Sequence, residues 1–106
     1  MTLTFAEKLF IWRHRAGMTQ HQAARYLNMT GSRYTTLERG AAEEMPTKLR
    51  NRTFDHLTPE ETCVLERRRR GMTQEQVAEE LGLSRVWVVR MERGLANSDK
   101  LVDYWL

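Results

Sequence analysis

The chain repeats itself at a fixed shift of 54 residues, and this constrains its architecture more than any other feature. Gly17-Met18-Thr19-Gln20 recurs as Gly71-Met72-Thr73-Gln74. Gln22, Ala24 and Leu27 recur as Gln76, Ala78 and Leu81, and Glu38-Arg39-Gly40 as Glu92-Arg93-Gly94. Upstream, Arg13 and Arg15 match Arg67 and Arg69. Chance supplies one four-residue match, but not a gapless register of this length. The repeat fades after Gly40 and Gly94. The reading is two related units of about 50 residues, joined around residues 41 to 58, with domains 1–56 and 57–106. Units of that size are marginal alone, so packing between them or with another chain is expected.

Helix starts are well marked. Thr4 with Glu7, Thr19 with Gln22 and Thr73 with Gln76 have capping-box spacing. Thr58, Pro59 and Glu61 add a proline at the first helical position. Ala23, Ala24 and Leu27, like Val77, Ala78 and Leu81, line one face of a short second helix. Gly82 suits a left-handed residue after that helix, and Asn28 is the next-best choice at the matching place. Thr30 and Ser84 can cap third helices that run to Gly40 and Gly94. Pro46 starts a short helix carrying Leu49, and Leu101, Val102, Trp105 and Leu106 form a stripe at helical spacing. No stretch alternates with period two long enough for a strand. The predicted class is all-α.

Several function classes drop out at this stage. Hydrophobic residues make up 41% and charged residues 29%, which describes a globular rather than a disordered chain. No apolar run approaches the roughly 18 residues of a bilayer span, so no membrane partner is expected. Glu7 and Lys8 interrupt any secretory pattern, and the single Cys63 allows no internal disulfide, so the expected compartment is the reducing cytoplasm. His14, His21 and His56 lack ligand spacing with Cys63 or one another, so no metal is expected. No nucleophile–base–acid set or phosphate loop appears, so neither an enzyme, a cofactor nor a small-molecule substrate is expected. Lys+Arg exceed Asp+Glu by 17 to 14, a mild sign of a polyanionic partner.

Two short helices joined by a tight turn describe a helix-turn-helix. The first helix's N-terminus can face a phosphate, and Gln20 and Gln74 stand there. Residues 71 to 94, GMTQEQVAEELGLSRVWVVRMERG, resemble the helix-turn-helix of the phage repressor and Cro family, the xenobiotic-response-element type. Residues 17 to 40 resemble a second, more divergent copy, with Asn28 for the turn glycine and Gly31 at the front of its third helix. With the preceding helices, the resemblance covers about 70 residues. It implies two small repressor-like units in tandem.

The resemblance also implies roles. Base-reading positions fall on Arg85, Val86, Val89 and Arg90 with Trp87 nearby, and on Gly31, Ser32, Thr35 and Thr36. Arginine can pair with guanine O6 and N7, and valine can pack on a thymine methyl. Arg33, Arg39 and Arg93 join Gln20 and Gln74 as phosphate candidates. Arg13 with Glu38, and Arg67 with Glu92, match buried ion pairs that tie the first helix to the third, and are not DNA contacts. Arg68 to Arg70 either touch phosphate or form a solvated face. Val88 and Met91 belong in the core, whereas Val86, Trp87 and Val89 cannot all be buried; the exposed ones either meet thymine methyls and sugars or pack on another protein. Cys63 reads as a small core residue. Tyr104, Trp105 and Leu106 are either core or a dimer contact.

Charge separates the units. Residues 1–56 hold nine Lys/Arg and five Asp/Glu, a net +4, whereas residues 57–106 hold eight and nine, a net −1. A division of labour follows, with the first unit anchoring on phosphates and the second reading bases. The leading function is a sequence-specific regulator of transcription on double-stranded DNA, acting as a repressor, with homodimer or RNA polymerase contacts as alternatives. The runner-up is a protein-interaction module on the same scaffold, modulating polymerase or another regulator. An antitoxin role would add a partner to the first reading.

Overall fold

In the computed structural model, residues 3–41 and 44–106 are described. Among them there are seven α-helices and no strand: α1 Phe5–Ala16, α2 Gln20–Tyr26, α3 Gly31–Thr36, α4 Pro59–Arg69, α5 Gln74–Leu81, α6 Arg85–Glu92 and α7 Asp99–Trp105. The all-α class therefore holds. The chain divides into Met1–Phe54 and Asp55–Leu106. Residues 45–54 pack with the first unit, where Met45 and Leu49 fill its core and Phe54 leans on it. Ala42 and Glu43, in the expected joint, lie outside the described residues.

Helix starts follow from the side chains in front of them. Thr4, Thr19, Thr58 and Thr73 each accept a hydrogen bond from the third helical N–H, and Glu7, Gln22, Glu61 and Gln76 reach back to the threonine N–H. Two N–H groups that the helix leaves orphaned are thereby satisfied at each of these ends. Thr30 and Ser84 cap α3 and α6 with one bond each. Between α5 and α6 the chain reverses through Gly82 at φ 66°; between α2 and α3 Asn28 does the same at φ 59°. The turns close alike, with Met29 N–H donating to Ala24 O at 3.0 Å and Leu83 N–H to Ala78 O at 2.9 Å.

Each unit has its own core. In the first, Leu9 and Trp12 of α1, Ala23 and Ala24 of α2 and Tyr34 of α3 meet Met45 and Leu49. A π-helical turn, Leu37–Ala41, follows α3 and is kinked at Gly40, whose φ is 127°. A single 3-10 turn, Thr47–Leu49, follows Pro46. In the second, Cys63 of α4, Val77 and Ala78 of α5 and Val88 and Met91 of α6 meet Leu101 and Trp105 of α7. The C-terminal stripe is only partly core: Leu101 and Trp105 are buried, Val102 is half-buried and Leu106 is exposed. Ala24 and Ala78 bring only a methyl to the crossing of two helices, which lets the backbones approach closely.

Candidate nucleic-acid interface

The second unit fixes the pose of α6 with a buried polar junction. Arg67 of α4 donates from Nε to Glu92 Oε2 at 2.7 Å and from Nη2 to Oε1 at 3.3 Å. Its Nη1 donates to Met72 O at 3.1 Å, in the turn before α5. Gln74, the first residue of α5, donates from Nε2 to Glu92 Oε1 at 2.8 Å. One carboxylate, 2% exposed, thus gathers α4, α5 and the end of α6. A forked guanidinium suits this task because it bonds a carboxylate and a carbonyl at once.

The first unit builds the same junction. Arg13 bonds Glu38 through Nε and Nη2, both at 2.9 Å, and Met18 O through Nη1 at 3.2 Å. Gln20 Nε2 reaches Glu38 Oε1 at 3.2 Å. Tyr34 is the addition. It is fully buried where the second unit has Val88, and its hydroxyl donates to Leu9 O at 3.4 Å. Burial opposes ionisation of Glu38, but the hydrogen bonds and charge of Arg13, with the hydrogen bond from Gln20, outweigh it and hold the carboxyl below its ordinary value. Burial and the nearby Glu38 carboxylate push the Tyr34 phenol far upward, so it stays a neutral donor.

By sequence, both glutamines are phosphate candidates. Each spends one amide hydrogen on the buried carboxylate, which orients the amide and leaves its second N–H as the donor. These amides stand in the first turn of α2 and α5.

The outward face of α6 carries the remaining chemistry. Arg85, Val86, Val89, Arg90, Arg93 and Leu95 line a groove of about 430 Å³. Val86 is 66% exposed, Trp87 48% and Leu95 72%, while Val89 is half-buried. Arg90 lies over the Trp87 ring, with Cζ 5.9 Å from the centroid. Val88, Met91 and Glu92 turn inward. Leu95 escaped the sequence reading because it follows the glycine that ends the motif; only its neighbours in the groove identify it.

The corresponding face of α3 is polar and smaller. Ser32, Arg33, Thr36 and Arg39 are exposed, and Gly31 and Thr35 are half-buried. Thr36 Oγ1 donates to Ser32 O at 2.9 Å, so the hydroxyl offers a partner mainly its lone pairs. Of the arginine run, Arg67 is held in the junction, Arg69 pairs with Glu66 at 3.2 Å, and Arg70 lies over the Trp105 ring at 5.0 Å.

Cys63 is fully buried, and burial with Glu60 and Glu92 nearby pushes its thiol up to about 11. Among the described residues no His, Cys, Asp and Glu group could hold a metal ion, and no helix is long and apolar enough to cross a membrane.

Residues 65–103 match the family model of a helix-turn-helix domain. The match covers the last five residues of α4, all of α5 and α6, and α7 as far as Asp103. It supports DNA binding by the second unit. No curated protein and no solved structure matches the chain.

Proposed function

We propose that this protein is a sequence-specific DNA-binding regulator of transcription, a repressor of the phage repressor and Cro type, with two helix-turn-helix units in tandem. The observation that carries the reading is the groove face of α6. It presents Arg85, Arg90 and Arg93 beside Val86 and Leu95, on a helix whose pose a buried carboxylate fixes. Arg85 and Arg90 read guanine edges, Val86 and Val89 meet thymine methyls, and Arg93 and Gln74 take phosphate. In the first unit Gln20, Arg33 and Arg39 hold phosphate, while Ser32, Thr35 and Thr36 give weak base readout. A net +4 on residues 1–56 against −1 on residues 57–106 supports that division. The protein acts in the cytoplasm, without catalysis, and represses by occupying an operator.

The test is selection of duplexes from a random DNA pool, followed by sequencing. Two linked half-sites about one helical turn apart, roughly 34 Å, are expected if both units read bases. One motif, or a simple palindrome, would assign base reading to one unit and scaffolding or dimer contact to the other. No enrichment at moderate salt would overturn the reading.

A second reading has one specific observation behind it. Val86 and Trp87 are far more exposed than large apolar side chains usually are on a helix that meets only water. A protein-interaction module that modulates RNA polymerase or another regulator would use that patch. Its mark is DNA affinity with no steep dependence on salt.

A further inference from the structure

The first unit contains a cleft whose repeat-equivalent residues in the second unit lie beside Tyr104. In the second unit, Tyr104 of α7 bonds Glu80 through its hydroxyl, and that hydroxyl lies 4.0 Å from Met72 Sδ. Beside it the Trp105 ring lies under Arg70. Subtracting the repeat shift of 54 turns Arg70, Met72 and Glu80 into Ala16, Met18 and Tyr26. All three line a cleft of about 320 Å³ in the first unit.

The position 54 residues before Tyr104 is Arg50, which is not among the described residues that line the cleft. Ala16 takes the place of a long arginine, which leaves volume. Trp12, Tyr26 and Phe54 supply aromatic walls; the Trp12 and Tyr26 rings are 5.6 Å apart and tilted by 49°. Among the described residues, the charged ones in the lining are Arg15 and Arg52, where the counterpart in the second unit carries Glu80. Arg15 is stacked on Phe54, its Cζ 5.6 Å from the ring centroid.

We infer that this cleft binds a small aromatic carboxylate. The ring takes the place that the Tyr104 phenol fills in the second unit, between the methionine and the end of the second helix. The carboxylate meets the guanidinium of Arg52, a charge-assisted contact that a neutral analogue cannot make. The volume lies at the lower end of small-molecule sites, which suits one ring with a short acidic arm.

The full chain, without DNA, is titrated with 4-hydroxyphenylacetate and followed by proton–nitrogen NMR. Saturable shifts are expected at the Trp12 indole and around Met18 and Arg52, with the Trp87 and Trp105 indoles unmoved. 4-Hydroxyphenylacetamide and tyramine should bind at least about tenfold more weakly, the worth of one lost charge-assisted bond. Ala16→Arg should fill the cleft, and Tyr26→Glu should install the second unit's residue; each should weaken binding by about tenfold or more. Both positions are exposed, so the variants keep the fold, and the same spectra verify it. No saturable shift, equal binding of amide or amine, or indifference to both variants would each overturn the assignment. Because no DNA is present, the outcome is independent of the DNA-binding reading.

Discussion

Gln74 and Glu92, eighteen residues apart, share a 2.8 Å hydrogen bond that ties the first turn of α5 to the last turn of α6. Gln20 and Glu38 repeat it at 3.2 Å. The contact links the first turn of one helix, proposed to face phosphate, to the angle of the next. Gln74→Ala should therefore lower affinity for specific and random DNA alike, by about threefold to tenfold for one lost phosphate contact with its orienting bond. Gel-shift titration on both duplexes measures it. A loss confined to the specific duplex would place Gln74 among base readers instead.

Arg67→Ala should destabilise the second unit by about 3 kcal/mol, because it strands a buried Glu92 carboxylate. Replacing both residues with methionine should restore most of that stability. Urea unfolding of the two variants checks the pair. A loss under about 1 kcal/mol for the single change would mean that water replaces the guanidinium.

Acid should weaken the first unit through Glu38. Its folded-state pKa lies below the ordinary 4.5, so its contribution is complete above that value and fades as the pH falls through the lower one. Glu38→Gln should be less stable at neutral pH and should show a shallower loss between about pH 5 and 3. Thermal melts across that window decide it; parallel curves would remove Glu38 from the acid response.

Gly82→Ala should cost about 1 kcal/mol, since an alanine Cβ meets no neighbour there and the penalty is that of φ 66° alone. Asn28→Gly should change stability by less than about 0.5 kcal/mol, because asparagine already tolerates the left-handed region. Denaturant midpoints compare the two. A larger Asn28 effect would point to a side-chain bond that the turn needs.

Arg85→Ala and Arg90→Ala, made separately, should each relax preference at one base pair, at about 1–3 kcal/mol per lost bidentate contact. Arg90→Ala also frees the Trp87 ring beneath it. Binding to single-base variants of the selected duplex measures the preference. Equal loss on specific and random DNA would make both residues phosphate contacts.

Much of this was legible because it is local. Thr73 with Gln76 three residues on, Ser84 before α6 and Gly82 in the turn depend on neighbours in sequence, and the repeat states each rule twice. The inward turn of Val88 follows from helical period alone. Tyr34 was not foreseen, since a tyrosine at a core position needs a distant carbonyl, and Leu9 lies on another helix. Residues 50–54, rich in Arg, Asn and Thr, have the composition of a connector, so only packing reveals Phe54 as part of the first core. The side-chain bond from Thr36 to Ser32 was hidden for a different reason: serine and threonine hydroxyls choose between backbone and partner by geometry, not by spacing.

Cys63 also gives the molecule a built-in clock. The one thiol in the chain is fully buried and protonated at neutral pH, so an alkylating reagent reaches it only while the second unit is open. Its rate of modification times those openings and leaves the first unit uncounted. A cysteine added anywhere on the surface would react first, so a dye can be set on a chosen position without removing the native residue.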